Sequence, residues 1–203
     1  MSLTKPIVAI LLLGLSVDAL AQRATGGPAK PGIVRLVIET ERGDIAVSLD
    51  SAKAPITVTN FLRYVDGGFF TNGVFHRTVT PANQPTDSVR IEVIQGGADP
   101  QRRGAGFSAI ELERTSTTGL KHKDGTLSMA RAGPNTATSD FFICIGNQPA
   151  LDFGGHRNRD GQGFAAFGQV TKGMNVVRAI QASPAQGQTL APPITIRRIR
   201  RTS

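Results

Sequence analysis

The chain has 203 residues and a mass of 21.5 kDa, with 39% hydrophobic and 19% charged residues. This length suits one globular domain or two very small ones, and the hydrophobic content excludes a disordered chain. A single cysteine excludes an internal disulfide, and three histidines beside it are a poor basis for a structural zinc site. The net charge of +8 could suit a nucleic acid, but the charges are dispersed and lack interleaved aromatic residues. We therefore expect a solvated basic face and no specific nucleic-acid binding.

The first 21 residues have the pattern of an export signal and not of a folded domain. Lys5 gives a positive start, residues 7–17 are mainly apolar, and Ala19-Leu20-Ala21 is a small-x-small cleavage site. The apolar run is too short to cross a bilayer, which takes about 20 residues. We expect cleavage before Gln22, a periplasmic or secreted mature protein, and no membrane span after cleavage.

A lead-in and a β-hairpin follow the signal. Residues 22–32 are rich in glycine and proline and have no hydrophobic periodicity, so we expect a flexible segment before a domain at residues 33–203. Apolar and polar residues then alternate over residues 34–39 and 45–49, on either side of a polar turn that contains Gly43. This pattern predicts a hairpin with one buried face.

Two segments have the spacing of amphipathic helices. In the first, Pro55 suits an opening turn, Gly67 is placed to end the helix, and apolar residues lie at i, i+3, i+4 and i+7 from Val58 to Val65. In the second, residues 174–182, the apolar residues share one face and Pro184 lies beyond the end.

The remaining apolar runs are short and separated by glycine, proline and asparagine, which is typical of strands. They cover residues 74–79, 91–95, 126–130, 141–145, 164–170 and 194–199. Many short strands, two distant helices and no strand-helix alternation favour an antiparallel β-barrel or sandwich in one domain.

Three separated stretches carry the most specific motifs. They are Phe75-His76-Arg77, residues 93–97 (VIQGG) and residues 127–143, which begin LSMARAGPNT and end SDFFI. In this order and spacing they resemble the cyclophilin family of peptidyl-prolyl cis/trans isomerases, of the exported bacterial type, and the resemblance covers nearly all of residues 33–200. It implies a closed eight-stranded antiparallel β-barrel capped by two α-helices, a proline-binding groove on the outer surface, and neither cofactor nor metal.

The resemblance also implies roles for individual residues. Arg77 would be catalytic, and Gln95 would hydrogen-bond the substrate backbone. Residues that would line the proline pocket are Val93, Phe142 and Leu151. Residues that would border the neighbouring subsite or the rest of the groove are Ala130, Arg131, Ala132, Asp140 and Phe164.

These residue types suit rotation about an X-Pro bond. The rotation is slow because amide resonance must be lost, which gives a barrier of about 20 kcal/mol. A guanidinium such as that of Arg77 can stabilise the nitrogen lone pair that appears as the bond twists, and each gain of about 1.4 kcal/mol is tenfold in rate. Phe142 can supply an apolar socket for the proline ring. No nucleophile or general base is required.

Each assignment has a purely structural alternative. Arg77 could be an ordinary surface arginine, and Gln95 could simply end a strand before Gly96-Gly97. Phe142 could belong to the core, but Phe141 and Phe142 cannot face the same way in a strand, so one should be core and the other pocket.

The other reactive residue types give no further site. The three histidines are dispersed and lack metal-ligand spacing, so structural or surface roles are expected. Cys144 lies in an apolar run and is expected to be buried and inert. Residues 154–163 are expected to form a basic surface loop.

Several groove positions differ from the commonest cyclophilin residues. Glu92 stands where the family usually has an aromatic residue, and Arg131 stands where it has an asparagine. Asp140 replaces a glutamine, and Phe164 replaces a histidine or tyrosine. Glu92, Arg131 and Asp140 would bring both signs of charge to the groove and tune the preference for residues that flank the proline.

The expected function is therefore a monomeric isomerase that binds exposed proline-containing segments and assists the folding of exported proteins. The alternative is a catalytically weak module that binds such segments with little turnover. A third reading, a basic domain on anionic surfaces, predicts steeply salt-dependent binding.

Overall fold

The computed structural model describes residues 32–102 and 104–202, together with Met1. Apart from Met1 and Gly32, the expected export signal and lead-in lie outside the described residues.

The described residues form a closed antiparallel barrel. Its strands are β1 (Ile33–Thr40), β2 (Gly43–Asp50), β3 (Gly73–Val79), β4 (Val93–Gly97), β5 (Thr126–Met129), β6 (Phe141–Cys144), β7 (Ala166–Lys172), β8 (Ala185–Gln186) and β9 (Thr189–Arg201). Eight of them pair in the order β1-β2-β7-β5-β6-β4-β3-β9, and β9 pairs back with β1, so the ring closes. β8 adds only a two-residue hairpin to β9. The prediction of a closed eight-stranded antiparallel barrel is confirmed.

Two longer helices and one short helix accompany the barrel in the described part of the chain. They are α1 (Pro55–Asp66), α2 (Thr115–Thr118) and α3 (Met174–Gln181). The two predicted helices are confirmed, and α1 begins at its proline and ends at Gly67 as expected. The prediction of two helices missed α2, because four consecutive serine and threonine residues carry no hydrophobic periodicity. Within the described residues, no helix is long and apolar enough to cross a membrane.

A distant carboxylate holds the start of α1. Glu113 accepts hydrogen bonds from the backbone N–H groups of Ile56 (3.0 Å) and Thr57 (2.8 Å), which have no partner within the helix. Ala54 precedes the helix and offers no side-chain cap. The negative charge of Glu113 also suits the positive end of the helix dipole.

An aromatic cluster joins α1 to the barrel interior. Phe61 of α1 is fully buried, and its ring centroid lies 5.0 Å from Phe70, 5.4 Å from Phe141 and 5.2 Å from Phe167. Such contacts add tilted and edge-on ring interactions to the burial of apolar surface. The inward-facing residues of the hairpin complete this core, namely Leu36, Ile38, Ile45, Val47 and Leu49.

The start of β4 differs from the prediction, which placed a strand at residues 91–95. Gln84 satisfies the backbone of Ile91 instead of a neighbouring strand: its Nε2 donates to the Ile91 carbonyl (2.7 Å) and its Oε1 accepts from the Ile91 N–H (3.1 Å). Strand pairing begins only at Val93, opposite Cys144 and Val79. The side chain of Gln84, seven residues away, thus takes the place of backbone hydrogen bonds from a neighbouring strand. Hydrophobic periodicity does not reveal such a substitution.

The aromatic cluster gives a stability prediction. Phe61→Ala should lower the free energy of unfolding by about 3–5 kcal/mol, because it removes the buried ring and leaves a cavity. Ile56→Ala, on the same helix at a position that is 41% exposed, is the control and should change it by less than about 1 kcal/mol. Urea unfolding of the chain from residue 22 onward measures both values, and equal losses would contradict the assignment.

Candidate active site

A cavity of about 460 Å³ opens on the outer face of β3, β4 and β6. The ten residues to which the resemblance assigned a role line it, namely Arg77, Val93, Gln95, Ala130, Arg131, Ala132, Asp140, Phe142, Leu151 and Phe164. Sequence reasoning missed Ile91, Thr136, Thr138, Arg157 and Asn158, which also line it. The structure thus brings together residues that are far apart in the chain.

Phe142 forms the apolar floor of the cavity. Phe141 is fully buried in the barrel core, and Phe142, the next residue, packs with Val93 and Leu151 in a separate apolar cluster on the other side of the strand. The ring of Phe164 meets that of Phe142 edge-on, with centroids 5.3 Å apart. The expectation that one phenylalanine is core and the other pocket therefore describes the structure, and Phe142 is the pocket residue.

A buried polar cluster lies against Phe142. The ring of His122 stacks on that of Phe142 at 6.0 Å, with its Nδ1 2.8 Å from Asp152 Oδ1 and its Nε2 2.9 Å from Ser128 Oγ. Burial raises the pKa of Asp152, but hydrogen bonds from His122 outweigh this and lower it overall. Ser128 is completely buried, so these three residues support the pocket floor and do not form an exposed nucleophile. His122 is thus structural, as expected.

Two neutral amides hold the guanidinium of Arg77. Its Nη1 donates to Gln95 Oε1 (2.9 Å), and its Nε and Nη2 both donate to Gln188 Oε1 (3.0 and 2.6 Å). Burial lowers the pKa of Arg77, and the positive charge of Arg157 acts in the same direction. Arginine stays protonated despite such shifts. The site therefore presents an oriented positive charge, because the acceptors that hold the guanidinium are neutral amide oxygens and not carboxylates.

Gln188 was not singled out in the sequence. It lies in the turn between β8 and β9, 111 residues from Arg77, and its Nε2 donates to the backbone carbonyl of Asn83. A lone glutamine in a turn carries no local signal of this role.

Arg131 lines the cavity, but its guanidinium is paired with groups of a neighbouring loop. It makes two hydrogen bonds to Asp160 (2.7 and 3.0 Å) and two to the backbone carbonyl of Gly163, and its side chain is 1% exposed. Its hydrogen bond also lowers the pKa of Asp160. Arg131 therefore anchors the loop before Phe164, and the positive charge that was expected to tune the groove is paired with Asp160.

Glu92 does not contribute to the cavity. Its carboxylate accepts a hydrogen bond from Gln181 Nε2 of α3 (3.2 Å), while its neighbour Ile91, 6% exposed, packs with Val93 and Phe142 in the cavity wall. The expectation that Glu92 brings negative charge to the groove was wrong, because neighbouring residues of an extended chain face opposite ways.

Cys144 has the environment that was expected of it. It is fully buried, and burial raises the pKa of its thiol far above the ordinary value. A thiol that stays protonated in an apolar cluster is a weak nucleophile.

The Asp152–His122 contact gives a pH prediction. Because the folded-state pKa of Asp152 is lowered from 3.8, the ionised group stabilises the fold above that pH, and the contribution is lost as the pH falls through the lowered pKa. Asp152→Asn should therefore lower the free energy of unfolding by about 1.5 kcal/mol at pH 7, and the difference from wild type should shrink below pH 3.8. Urea unfolding across this range tests it against Asp44→Asn, an exposed control; a difference that does not depend on pH would contradict it.

Comparisons with known proteins agree with this geometry. Residues 35–201 match the family model described as cyclophilin type peptidyl-prolyl cis-trans isomerase/CLD. The chain is 31% identical to peptidyl-prolyl cis-trans isomerase A of Dickeya dadantii, over 94% of this chain and 90% of the relative. It is 34% identical to peptidyl-prolyl cis-trans isomerase B of Escherichia coli, over 72% of this chain and 83% of the relative.

A solved structure supports the same assignment. The crystal structure of a cyclophilin-type isomerase from Cryptosporidium parvum superposes with a TM-score of 0.68 at 26% identity, and covers 84% of this chain and 98% of that one. A second structure of that protein was determined in the presence of the dipeptide Ala-Pro. With the barrel, the groove and the family match in agreement, this chain belongs to the cyclophilin-type peptidyl-prolyl cis-trans isomerases and is an enzyme of that class.

Proposed function

We propose that Arg77 is the catalytic residue of this isomerase and that the pocket over Phe142 holds the substrate proline. The observation that carries the proposal is the guanidinium of Arg77, fixed by Gln95 and Gln188 in the wall of the cavity whose floor is Phe142. A proline ring in that pocket would bring its amide nitrogen into the part of the groove that Arg77 lines.

Catalysis then follows from charge and geometry. As the X-Pro bond twists, resonance is lost and a lone pair develops on the prolyl nitrogen. A preoriented donor aimed at that lone pair stabilises the twisted state more than either planar state, and only such differential binding accelerates the reaction. Because Gln95 and Gln188 are neutral acceptors, they orient Arg77 and leave its charge available.

The neighbouring groups suit binding of an extended segment. Gln95 Nε2 lies 3.5 Å from Asp140, a long hydrogen bond, so it can instead donate to a substrate carbonyl. Ala130 and Ala132 leave room for the residue beside the proline. The C. parvum relative was studied with Ala-Pro, which fits a substrate of this chemical class.

The proposed setting is the periplasm or the extracellular medium, with exported proteins as clients. Support comes from the N-terminal pattern of Lys5, the apolar residues 7–17 and the Ala19-Leu20-Ala21 site. Prolyl isomerisation takes tens of seconds without a catalyst, so newly exported chains with incorrect X-Pro isomers are substrates whose folding such an enzyme would accelerate.

The first prediction concerns Arg77. Arg77→Ala should lower kcat/KM for a neutral Ala-Pro peptide at least about 100-fold, the scale of losing one preorganised transition-state donor, and Arg77→Lys should recover only part of it because a point charge cannot use both amide acceptors in the same way. Exchange NMR on the peptide measures the rate.

Arg42→Ala, an exposed arginine outside the cavity, is the matched control and should keep the wild-type rate. Urea unfolding must show that all variants are folded. A folded wild type that binds the peptide without accelerating its isomerisation would replace this proposal with the segment-binding module.

The second prediction concerns export. Expression of the full chain should give a product that begins at Gln22 in the periplasmic or medium fraction, and Lys5 with the apolar run should be required for it. Intact-mass measurement of each fraction tests this, with a variant that lacks residues 2–21 as the control. An uncleaved cytoplasmic product would contradict the proposed setting and leave the enzymatic assignment intact.

A further inference from the structure

Only some of the charged side chains around the groove can act on a substrate. Glu92 faces Gln181, and Arg131 is paired with Asp160. Among the described residues that line the cavity, Arg77, Asp140 and Arg157 carry the remaining charges. Arg77 lines the cavity and lies opposite Gln95, the middle residue of β4, in the β3–β4 ladder.

Asp140 marks one end of the groove. Its Oδ2 lies 3.5 Å from Gln95 Nε2 and 3.7 Å from His76 Nε2. Its Oδ1 lies against Gly97, the last residue of β4, where any Cβ would collide with the carboxylate. Its side chain is 35% exposed, so the carboxylate is accessible from the groove.

Arg157 marks the other end. Its Nη1 donates to the backbone carbonyl of Val89 (2.7 Å) and lies 3.0 Å from Asp87 Oδ2, both in the segment that precedes β4. Its own backbone N–H bonds to Ala150, next to the pocket residue Leu151. Both of these contacts use Nη1; no hydrogen bond within the described residues occupies Nε or Nη2, and the side chain is 16% exposed. Arg157 therefore keeps a pair of donors despite its partial pairing with Asp87.

The two ends are well separated. β4 spans Val93–Gly97, which corresponds to about 13 Å at the rise of a strand; Asp140 lies beside the Gly97 end and Arg157 is bonded to the chain before the Val93 end. An extended peptide that places its proline near Arg77 would reach both ends with side chains one or two residues from the proline.

We propose that Asp140 and Arg157 make the groove select proline segments by the order of their charges, with an acidic side chain beside Arg157 and a basic side chain beside Asp140. The inference rests on the proposed placement of the proline at Arg77 and Phe142. Partly buried charges are screened less than exposed ones, and a guanidinium with two neighbouring donors suits a carboxylate. The reversed segment would bring like charges together at both ends.

The experiment compares two blocked peptides of identical composition, Lys-Ala-Pro-Glu and Glu-Ala-Pro-Lys, with neutral Ala-Ala-Pro-Ala as reference. Because the two charged peptides have equal net charge, the overall charge of +8 on the chain attracts both equally. Exchange NMR gives kcat/KM, and chemical-shift titration gives Kd, at low and at high salt.

The expected result is a difference of at least about threefold between the two orders at low salt, which shrinks towards unity at high salt. Arg157→Gln and Asp140→Asn should each reduce the ratio by at least about half. Arg159→Gln is the matched control, because it removes the same charge from an exposed position in the same loop, and it should keep the wild-type ratio.

Equal kcat/KM and equal Kd for the two orders in wild type would overturn the inference. A ratio that Arg159→Gln lowers as much as Arg157→Gln would also overturn it, because the preference would then be a general charge effect. Turnover of the neutral peptide tests the proposed function separately. The ratio of the Kd values for the two charged peptides tests the charge-order inference even if no turnover is observed.

Discussion

Alternation of side chains along closed strands is the constraint on which both the core and the groove depend. In a ring without free edges, each strand must send one set of side chains inward and the other outward. On β6 this puts Phe141 into the aromatic core and Phe142 under the groove. The groove is therefore the outward face of strands whose inward face is the core. The buried His122–Asp152 pair adds a polar support from beneath.

The chemistry of the partner decides what each arginine near the groove can do. Arg131 meets the carboxylate of Asp160 and becomes a buried structural pair, whose charge is largely compensated. Arg77 meets only the amide oxygens of Gln95 and Gln188, which fix its orientation without cancelling its charge. In the proposed mechanism carboxamides suit this position, because a carboxylate there would compete with the developing lone pair for the same guanidinium. Identical side chains thus have different roles, because Arg131 anchors a loop and Arg77 keeps a charge that its amide partners do not cancel.

The hairpin and both longer helices could be predicted because their apolar residues repeat at two or 3.6 residues. The pattern of short strands left a barrel or a sandwich open, and the resemblance implied the closed barrel. Arg77, Val93, Gln95 and Phe142 lie in strands, where alternation leaves few choices for where a side chain faces. The other predicted groove residues lie outside the strands, so only the resemblance could place them. The predicted start of β4 was wrong because a side chain replaces regular strand pairing there. Gln84 bonds to the backbone of Ile91, and β4 begins at Val93, two residues later than predicted. Between Ile91 and Val93, which face the groove, Glu92 faces away and bonds to Gln181. α2 was missed because its residues are all polar.

The residues that no local pattern could reveal are those whose role depends on contacts across the chain. Gln188 reaches Arg77 across 111 residues, and Arg157 reaches Val89 across 68. Both lie in loops between strands, where periodicity carries no information about neighbours. The strands therefore hold Arg77, Gln95 and Phe142, the residues of the proposed catalytic centre. The loops bring in Arg157 and position the charges around that centre. We therefore expect this chain to differ from its relatives in selectivity among proline segments and not in the way it catalyses isomerisation.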